Sequence, residues 1–411
     1  MQVLFERCAG MDVHKDSVVV CVAVPDDTGK VRKEIRTFGT STRELLTLRD
    51  WLEEGRVTHG VIESTGVYWK PVYNLLEGGP EIWLANAQQV RNLPGRKTDV
   101  ADCEWLVDLM RHGLIRRSFV PDSDTRELRE LTRYRTQMVR ERAAEVNRIQ
   151  KILEGANLKL GSVASDVVGQ SGTAILKAIV DGETDPGKLA ALAVGKLAGK
   201  KDRLIPALEG RITPHTRFML RQVLDHIRTL DELIVQLSQE VEQRLRPRQA
   251  AIDRLDQIPG IGRRLAETLV AEIGLDMTRF PTAAHLASWG GLCPGNNKSA
   301  GKRYSGKTRK GSPWLRCALV EAAWSAIRIK KSYFWAQFAR LKGRRGGKKA
   351  VIAVAHSLLV IAYNLLKSET DYRDLGRDHF DKVDKNRLAQ RLKNRIESLG
   401  FTVKLEEKKP A

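Results

Sequence analysis

From Asp122 to Leu153 the chain runs 32 residues without a proline or a glycine. Leu128, Leu131, Met138, Val146, Ile149 and Leu153 recur near helical spacing in an otherwise charged stretch. That pattern predicts one uninterrupted helix about 48 Å long. Pro214 to Leu245 repeats it in a second long helix. Two such rods predict an antiparallel or intermolecular coiled-coil stalk; the plainer alternative is that each packs on its own domain. Between them, Asn157 to Arg211 is rich in Gly, Ala and Lys and reads as small helices joined by loops.

Before the first rod, strand and helix patterns alternate. Val18 to Val24 reads as a buried strand. Val31 to Phe38 reads as an alternating strand behind the Asp26-Asp27-Thr28-Gly29 turn, so the two form a hairpin. Ser41-Thr42-Arg43-Glu44 is a capping box that opens a helix reaching Glu54. Thr58 to Glu63 and Glu81 to Leu84 read as short strands, with Val67 to Leu76 as the helix between them. Thr98 to Arg111 is an amphipathic helix with Val100, Leu106, Val107 and Met110 inward. A hairpin followed by β-α-β units is the order of ribonuclease-H-like folds. Beyond the second rod a mainly helical unit runs to about Leu366, and the tail carries one helix around Asn386 to Leu399. The expected division is 1–121 for an α/β domain, 122–249 for the helical linker, 250–367 for a C-terminal domain and 368–411 for the tail.

The formal charge of +20 is unevenly spread: Lys298 to Lys349 holds 16 Lys or Arg against a single acid, Glu321. A concentrated basic stripe is the footprint of a polyanion binder, whereas a face kept for solubility mixes signs. The five cysteines, Cys8, Cys21, Cys103, Cys293 and Cys317, include no C-x-x-C pair. Neither a disulfide framework nor a zinc site is indicated, which suits a reducing cytosol. Glu6 and Arg7 interrupt the N-terminus before any apolar core forms, so no signal peptide is expected. The apolar run Ala350 to Leu366 is broken by His356, Ser357 and Asn364 and reads as too short for a bilayer; the expectation is a soluble protein without membrane contact. There is no P-loop, so ATP use is not indicated.

Four acids stand out against this basic background. Asp12 lies in Cys8-Ala9-Gly10-Met11-Asp12-Val13-His14-Lys15, near the start of the first expected strand. Glu63 ends another, in Val61-Ile62-Glu63-Ser64-Thr65-Gly66. Asp99 and Asp102 are three apart and share one helix face. Four carboxylates brought together repel one another unless a cation holds them. A pair of Mg2+ ions, or Mn2+, is the expected cofactor, holding the attacking and leaving oxygens of a phosphodiester displacement.

In the C-terminal unit, Ile258-Pro259-Gly260-Ile261-Gly262 followed by Leu265, Leu269 and Ile273 resembles a helix-hairpin-helix element. Gly260 and Gly262 would let backbone N–H groups approach a DNA phosphate; the alternative is a plain turn between two helices. Cys293-Pro294-Gly295-Asn296-Asn297-Lys298-Ser299-Ala300-Gly301-Lys302 is polar and basic. A serine among lysines sees a field that favours its alkoxide, which makes Ser299 a candidate nucleophile and Ser305 and Ser312 its rivals. Lys298, Lys302, Arg303, Lys307, Arg309 and Lys310, with Arg344, Arg345, Lys348 and Lys349 further on, are the candidate nucleic-acid contacts. No histidine stands near Ser299, so a Ser-His-Asp arrangement has no support, and His356 reads as a core or capping residue.

Together these residues resemble the IS110 insertion-sequence transposases, also described as bridge-RNA-guided recombinases. The anchors run in order from about Gly10 to Leu366: Gly-Met-Asp-Val-His-Lys at 10–15, Glu-Ser-Thr-Gly at 63–66, Lys-Thr-Asp-x-x-Asp at 97–102, the Ile-Pro-Gly-Ile-Gly hairpin, and Ser-x-Gly-Lys at 299–302. The resemblance implies a RuvC-like N-terminal domain whose Asp-Glu-Asp-Asp tetrad carries over to Asp12, Glu63, Asp99 and Asp102. It also implies a C-terminal transposase domain whose serine nucleophile carries over to Ser299. It further implies Mg2+, a covalent 5′-phosphoserine intermediate, strand exchange between donor and target DNA, and a noncoding bridge RNA pairing with both. A homo-oligomer follows from it too, a dimer assembling to a tetramer with composite sites, at the nucleoid in the bacterial cytoplasm. One departure stands in the serine loop. The family's Ser-Ser-Gly-Gly-Lys-like run is here Lys298-Ser299-Ala300-Gly301-Lys302, with alanine at the first glycine, and counting from Pro294 puts Ser299 at the nucleophile position. Two alternatives remain: a RuvC-like metal-dependent, structure-specific endonuclease without a covalent intermediate, and a non-enzymatic nucleic-acid scaffold.

Overall fold

The computed structural model describes residues 2–64, 66–86, 90, 102–295, 297–308, 310–383 and 385–406. The chain divides into two compact units, Met1–Val120 and Pro121–Ala411. The first is α/β, the second mainly helical.

The first unit is built on a five-stranded sheet of β1 (Cys8–Val13), β2 (Ser17–Pro25), β3 (Val31–Gly39), β4 (His59–Glu63) and β5 (Glu81–Ala85), in the order β3-β2-β1-β4-β5. β1 is the central strand, antiparallel to β2 and parallel to β4. The sequence pattern placed the first strand at Val18, with Asp12 near its start. Asp12 instead lies at the end of a strand of its own. Ala9 and Gly10 have low strand propensity, which hid β1.

Both faces of the sheet are covered, which is why its inner strands are apolar throughout rather than alternating. On one face Ala9, Met11, Val13, Val20 and Ile62 pack with Leu45, Leu48 and Leu52 of α1 (Thr42–Glu54) and Val72 and Leu76 of α2 (Trp69–Leu76). The backbone N–H of Glu44 is capped by the Ser41 hydroxyl, as the capping box required. On the other face Cys8, Cys21, Ala23 and Val61 pack with Cys103, Leu106, Val107 and Met110 of α3 (Asp102–Arg111). α3 lies so close to β1 that a Cβ on Gly10 would stand 2.2 Å from the Cys103 carbonyl oxygen and 2.6 Å from the Val107 nitrogen. Only glycine fits there.

In the second unit the two rods are α4 (Ser123–Gly155) and α5 (Pro214–Leu245), each opened by a side-chain cap, Asp122 and Thr213 respectively. They run antiparallel within one chain: Glu127 pairs with Arg244 at 2.6 Å, Arg142 with Asp231 at 2.5 Å and Glu145 with His226 at 3.3 Å. Met138, Leu230 and Ile234 fill the seam. At the far end, Ile149 and Leu153 join the core of the short helices in 160–207, through Ile175, Leu176, Ile179, Leu189 and Leu204.

The main remaining elements are α6 (Gln249–Asp256), α7 (Arg263–Ile273), α8 (Ala283–Trp289), the hairpin β6 (Asn297–Ser299) and β7 (Lys302–Ser305), α9 (Pro313–Ala326), α10 (Tyr333–Arg345), α11 (Gly347–Ser368) and α12 (Lys385–Glu397), with short helical turns between some of them. α7 packs on α4, so this region shares a core with the first rod. At 22 residues α11 is longer than the apolar run indicated, and by length and composition it could cross a membrane. Here 56% of its apolar window is buried against the unit, where it packs on α8, α9 and α10. The Tyr363 hydroxyl donates to the Phe280 carbonyl at 2.8 Å, and burial pushes the pKa of half-buried His356 below the usual imidazole value.

Candidate active site and nucleic-acid interface

Register, rather than proximity in sequence, assembles the acids. Gly10 pairs with Val61 and Met11 with Ile62 in the parallel β1–β4 ladder, and Asp12 and Glu63 are the next residues of the two strands at the same end. Met11 and Ile62 face α1 and α2, which turns Asp12 and Glu63 to the α3 face. α3 runs antiparallel to β1: Cys8 lies under Val107, and Gly10 under the stretch from Cys103 to Val107. The end of β1 that carries Asp12 therefore points to the start of α3, where Asp102 stands. Asp12, Glu63 and Asp102 thus occupy one end of one sheet face. Asp99 lies outside the described residues.

All three side chains are partly open to solvent. Asp12 is 25% exposed, and His14 Nε2 lies 3.2 Å from its Oδ2, a neighbour that the motif contains but that the sequence reasoning gave no role. Among the described residues no three acidic, histidine or cysteine side chains are close enough to share an ion. The donors are nonetheless hard carboxylate oxygens at the partly open end of two inner strands, the set that suits Mg2+ or Mn2+.

The serine loop is a hairpin. Ser299 pairs with Lys302 across Ala300 and Gly301, which have φ of 45° and 75°. A two-residue loop with both central φ positive is a type I′ turn, and alanine is an unusual occupant of its first position. Asn297 pairs with Ser305 and Lys298 with Arg303, with a bulge between Asn297 and Lys298. The two rival serines have other engagements. Ser305 Oγ accepts from the Lys307 N–H at 3.1 Å. Ser312 caps α9 by accepting from the Leu315 N–H at 3.3 Å, and it donates to Glu272 at 3.0 Å.

Gly260 has a φ of 88°, and a Cβ there would stand 2.4 Å from the Ala322 carbonyl oxygen of α9. Its freedom is used for packing inside the unit. Gly262 differs: it caps α7 without a side-chain bond, is exposed, and has no atom within 4 Å of its Cβ position. Lys302, Lys307 and Lys310 are exposed, and Arg309 lies outside the described residues. Arg344 and Arg345 end α10; Lys348 and Lys349 are the second and third residues of α11, after Gly347, and all four are exposed. Lysines in a first helical turn oppose the helix dipole. That cost is offset when an anion binds there.

A buried ionic network beneath this region escaped the sequence reasoning. Glu272, with a fully buried side chain, takes two bonds from Arg133, at 2.7 and 2.9 Å, besides the one from Ser312. Arg129 donates to the carbonyl oxygens of Ala271 and Glu272, and burial pulls its pKa down to about 10. One turn away Arg135 and Glu267, both 5% exposed, pair at 2.7 Å. The network ties α4 to α7 and to the start of α9. Removing one partner of a buried pair leaves the other charge uncompensated. Arg133 keeps 35% of its side chain exposed and can turn to solvent, so Glu272→Ala is expected to destabilise the protein by about 1–3 kcal/mol in urea unfolding. A loss under about 1 kcal/mol would match an exposed pair instead.

Comparison with known proteins agrees with this architecture. Residues 9–158 match the DEDD transposase family of IS110, and residues 252–339 match the transposase family IS116/IS110/IS902. A probable family 20 transposase of Pseudomonas aeruginosa is 26% identical over 311 residues, covering 74% of this chain and 82% of that protein. The insertion element IS110 uncharacterized 43.6 kDa protein of Streptomyces coelicolor is 33% identical over 123 residues, 29% of each chain. A pilin gene-inverting protein of Moraxella bovis is 28% identical over 155 residues, 36% of this chain and 48% of that one. The molecule is thus a DNA transposase or recombinase. It belongs to the IS110 family of transposases. A transposase domain of the DEDD type points to a divalent metal, and the family to DNA as substrate.

Proposed function

We propose that the protein excises and inserts DNA by serine-nucleophile cleavage and exchange, guided by a noncoding bridge RNA, in the bacterial cytoplasm. In this reading the unit holding the five-stranded sheet is the RuvC-like domain. The paired rods are the stalk through which protomers form a dimer and then a tetramer. The region from residue 250 to 367 is the transposase domain, with its helix-hairpin-helix turn at Gly260 to Gly262.

The observation that carries the reading is the β6–β7 hairpin. Ser299 is the last residue before a tight turn, held by strand pairing in a lysine- and arginine-rich stretch of sequence. Its Oγ attacks phosphorus, the P–O3′ bond breaks, and the products are a 5′-phosphoserine and a free 3′-hydroxyl. Attack by another 3′-hydroxyl reverses the step, so the phosphodiester is restored without ATP. Asp12, Glu63, Asp99 and Asp102 would hold the divalent metal, which when bound supplies compensation for charge on the phosphate oxygens. Arg344, Arg345, Lys348 and Lys349 hold the nucleic-acid backbone.

The test is a covalent adduct. Wild-type protein, its flanking RNA, Mg2+ and end-labelled donor DNA are mixed and run on a denaturing gel. A retarded band that collapses on protease digestion supports serine chemistry. Clean cuts with no adduct support the endonuclease alternative. Reversing the four cations to glutamate should weaken DNA binding steeply and flatten its salt dependence, by roughly 0.9 in log–log slope for each lost phosphate contact. An unchanged slope would place those cations in solvent.

A further inference from the structure

We propose that Trp324 and Phe338 form a stacking platform for an unpaired nucleobase of a bound strand. The inference rests on the nucleic-acid reading above and adds the kind of strand that this face takes.

The second unit contains four tryptophans, and three have a guanidinium over the ring. Arg129 lies 5.8 Å from the centroid of Trp289, and Arg377 lies 4.6 Å from that of Trp335. Arg133 and Arg140 stand 5.7 and 5.4 Å from that of Trp314. Trp324 has no such cover among the described residues. It is 49% exposed near the end of α9, and its ring neighbour is Phe338 of α10, 6.4 Å away and tilted by 58°. Lys342, one turn along α10, sits with Nζ 5.9 Å from the Phe338 centroid. A half-exposed indole beside a second ring and an ammonium offers an incoming base a π face and its phosphate a charge.

Exposed aromatic residues also mark protein interfaces, so the charge decides between occupants. The pair lies inside the stretch from Lys298 to Lys349, with its 16 cations and one acid. Arg328, Lys330 and Lys331, just past α9, are exposed, as are Arg344 and Arg345 at the end of α10. A second copy of this face would be repelled by such a field, and a polyanion is drawn to it. A duplex keeps its bases stacked inside, so only an unpaired one can lie on the indole. Glu321, the single acid, precedes Trp324 by one helical turn. It repels the phosphodiester backbone, which therefore passes on the Lys342 side.

Fluorescence anisotropy of the full chain with labelled oligo-dT, oligo-U and a duplex of equal length tests this. Trp324→Ala should weaken binding of oligo-dT, oligo-U or both by about tenfold. Duplex affinity should stay within about twofold, and Trp324→Phe should keep most of the single-strand affinity. The oligomer that suffers more identifies the strand as DNA or RNA. Irradiation of a 5-iodouracil oligomer should cross-link to the peptide that contains Trp324. Unchanged single-strand binding, equal loss for single strand and duplex, or a cross-link confined to another peptide would overturn the platform. Each of those leaves the transposase reading standing, because the wild-type protein still binds nucleic acid in all of them. A wild-type protein that binds none of the three nucleic acids would overturn both.

Discussion

Ser299→Ala leaves no covalent protein–DNA adduct and no strand exchange, while DNA binding stays within about twofold. The substitution removes one hydroxyl from a strand residue whose backbone is paired to Lys302, so the hairpin survives it. What is lost is the attacking atom. Removal of a nucleophile lowers turnover by roughly a thousandfold or more when no other group replaces it. The neighbouring serines are poor replacements. Ser305 is bonded to the Lys307 N–H, and Ser312 both caps α9 and reaches Glu272. The backbone at Ala300 points to the same residue. An alanine at φ 45° is strained by about 1 kcal/mol relative to glycine, yet the turn is kept. Such a turn fixes the residue just before it. An adduct of undiminished yield in Ser299→Ala would move the nucleophile to another side chain and sink this assignment.

Much of the architecture was legible because it is written in local signals. The capping box at Ser41 and the alternation from Val31 to Phe38 each state their structure within a dozen residues. So do the unbroken periodicities of Asp122 to Leu153 and Pro214 to Leu245. Two elements were illegible for a common reason: the residue that would announce them serves another demand. Gly10 weakens the strand signal of β1 because α3 needs its space. Ala300 hides the β6–β7 hairpin because its turn expects glycine or asparagine. The Glu272 network could not be read at all. Arg133 is 139 residues away in sequence, and only the packing of α7 on α4 brings the two together. The apolar context of Val270-Ala271-Glu272-Ile273 was the one hint, since a glutamate on a buried face needs a partner. That Asp12 and Glu63 lie at the same end of two strands follows from a parallel register between strands 51 residues apart, a long-range fact that periodicity does not carry.

Asp12→Asn abolishes strand transfer while leaving both the fold and nucleic-acid binding intact. The amide matches the carboxylate in shape and sits at the partly open end of the central strand, so no packing is lost. Glu63 follows the last paired residue of β4 as Asp12 follows that of β1, and without metal two carboxylates near one another repel. The metal-free variant should therefore melt at or slightly above the wild-type temperature. Mg2+ separates the two proteins. A ligand that binds only the native state stabilises it by RT ln(1 + [L]/Kd), about 2.7 kcal/mol at a hundredfold excess over Kd. Wild type should gain thermal stability as Mg2+ is added. The variant, short of one anionic oxygen donor, should gain little at the same concentrations. Strand transfer and the Mg2+-dependent shift should then disappear together, with DNA affinity within about twofold. If recombination persists in Asp12→Asn, the carboxylate holds no metal that the reaction needs. If recombination is lost but the Mg2+ shift is undiminished, Asp12 acts on the DNA itself. Only the joint loss assigns this end of the sheet to the metal.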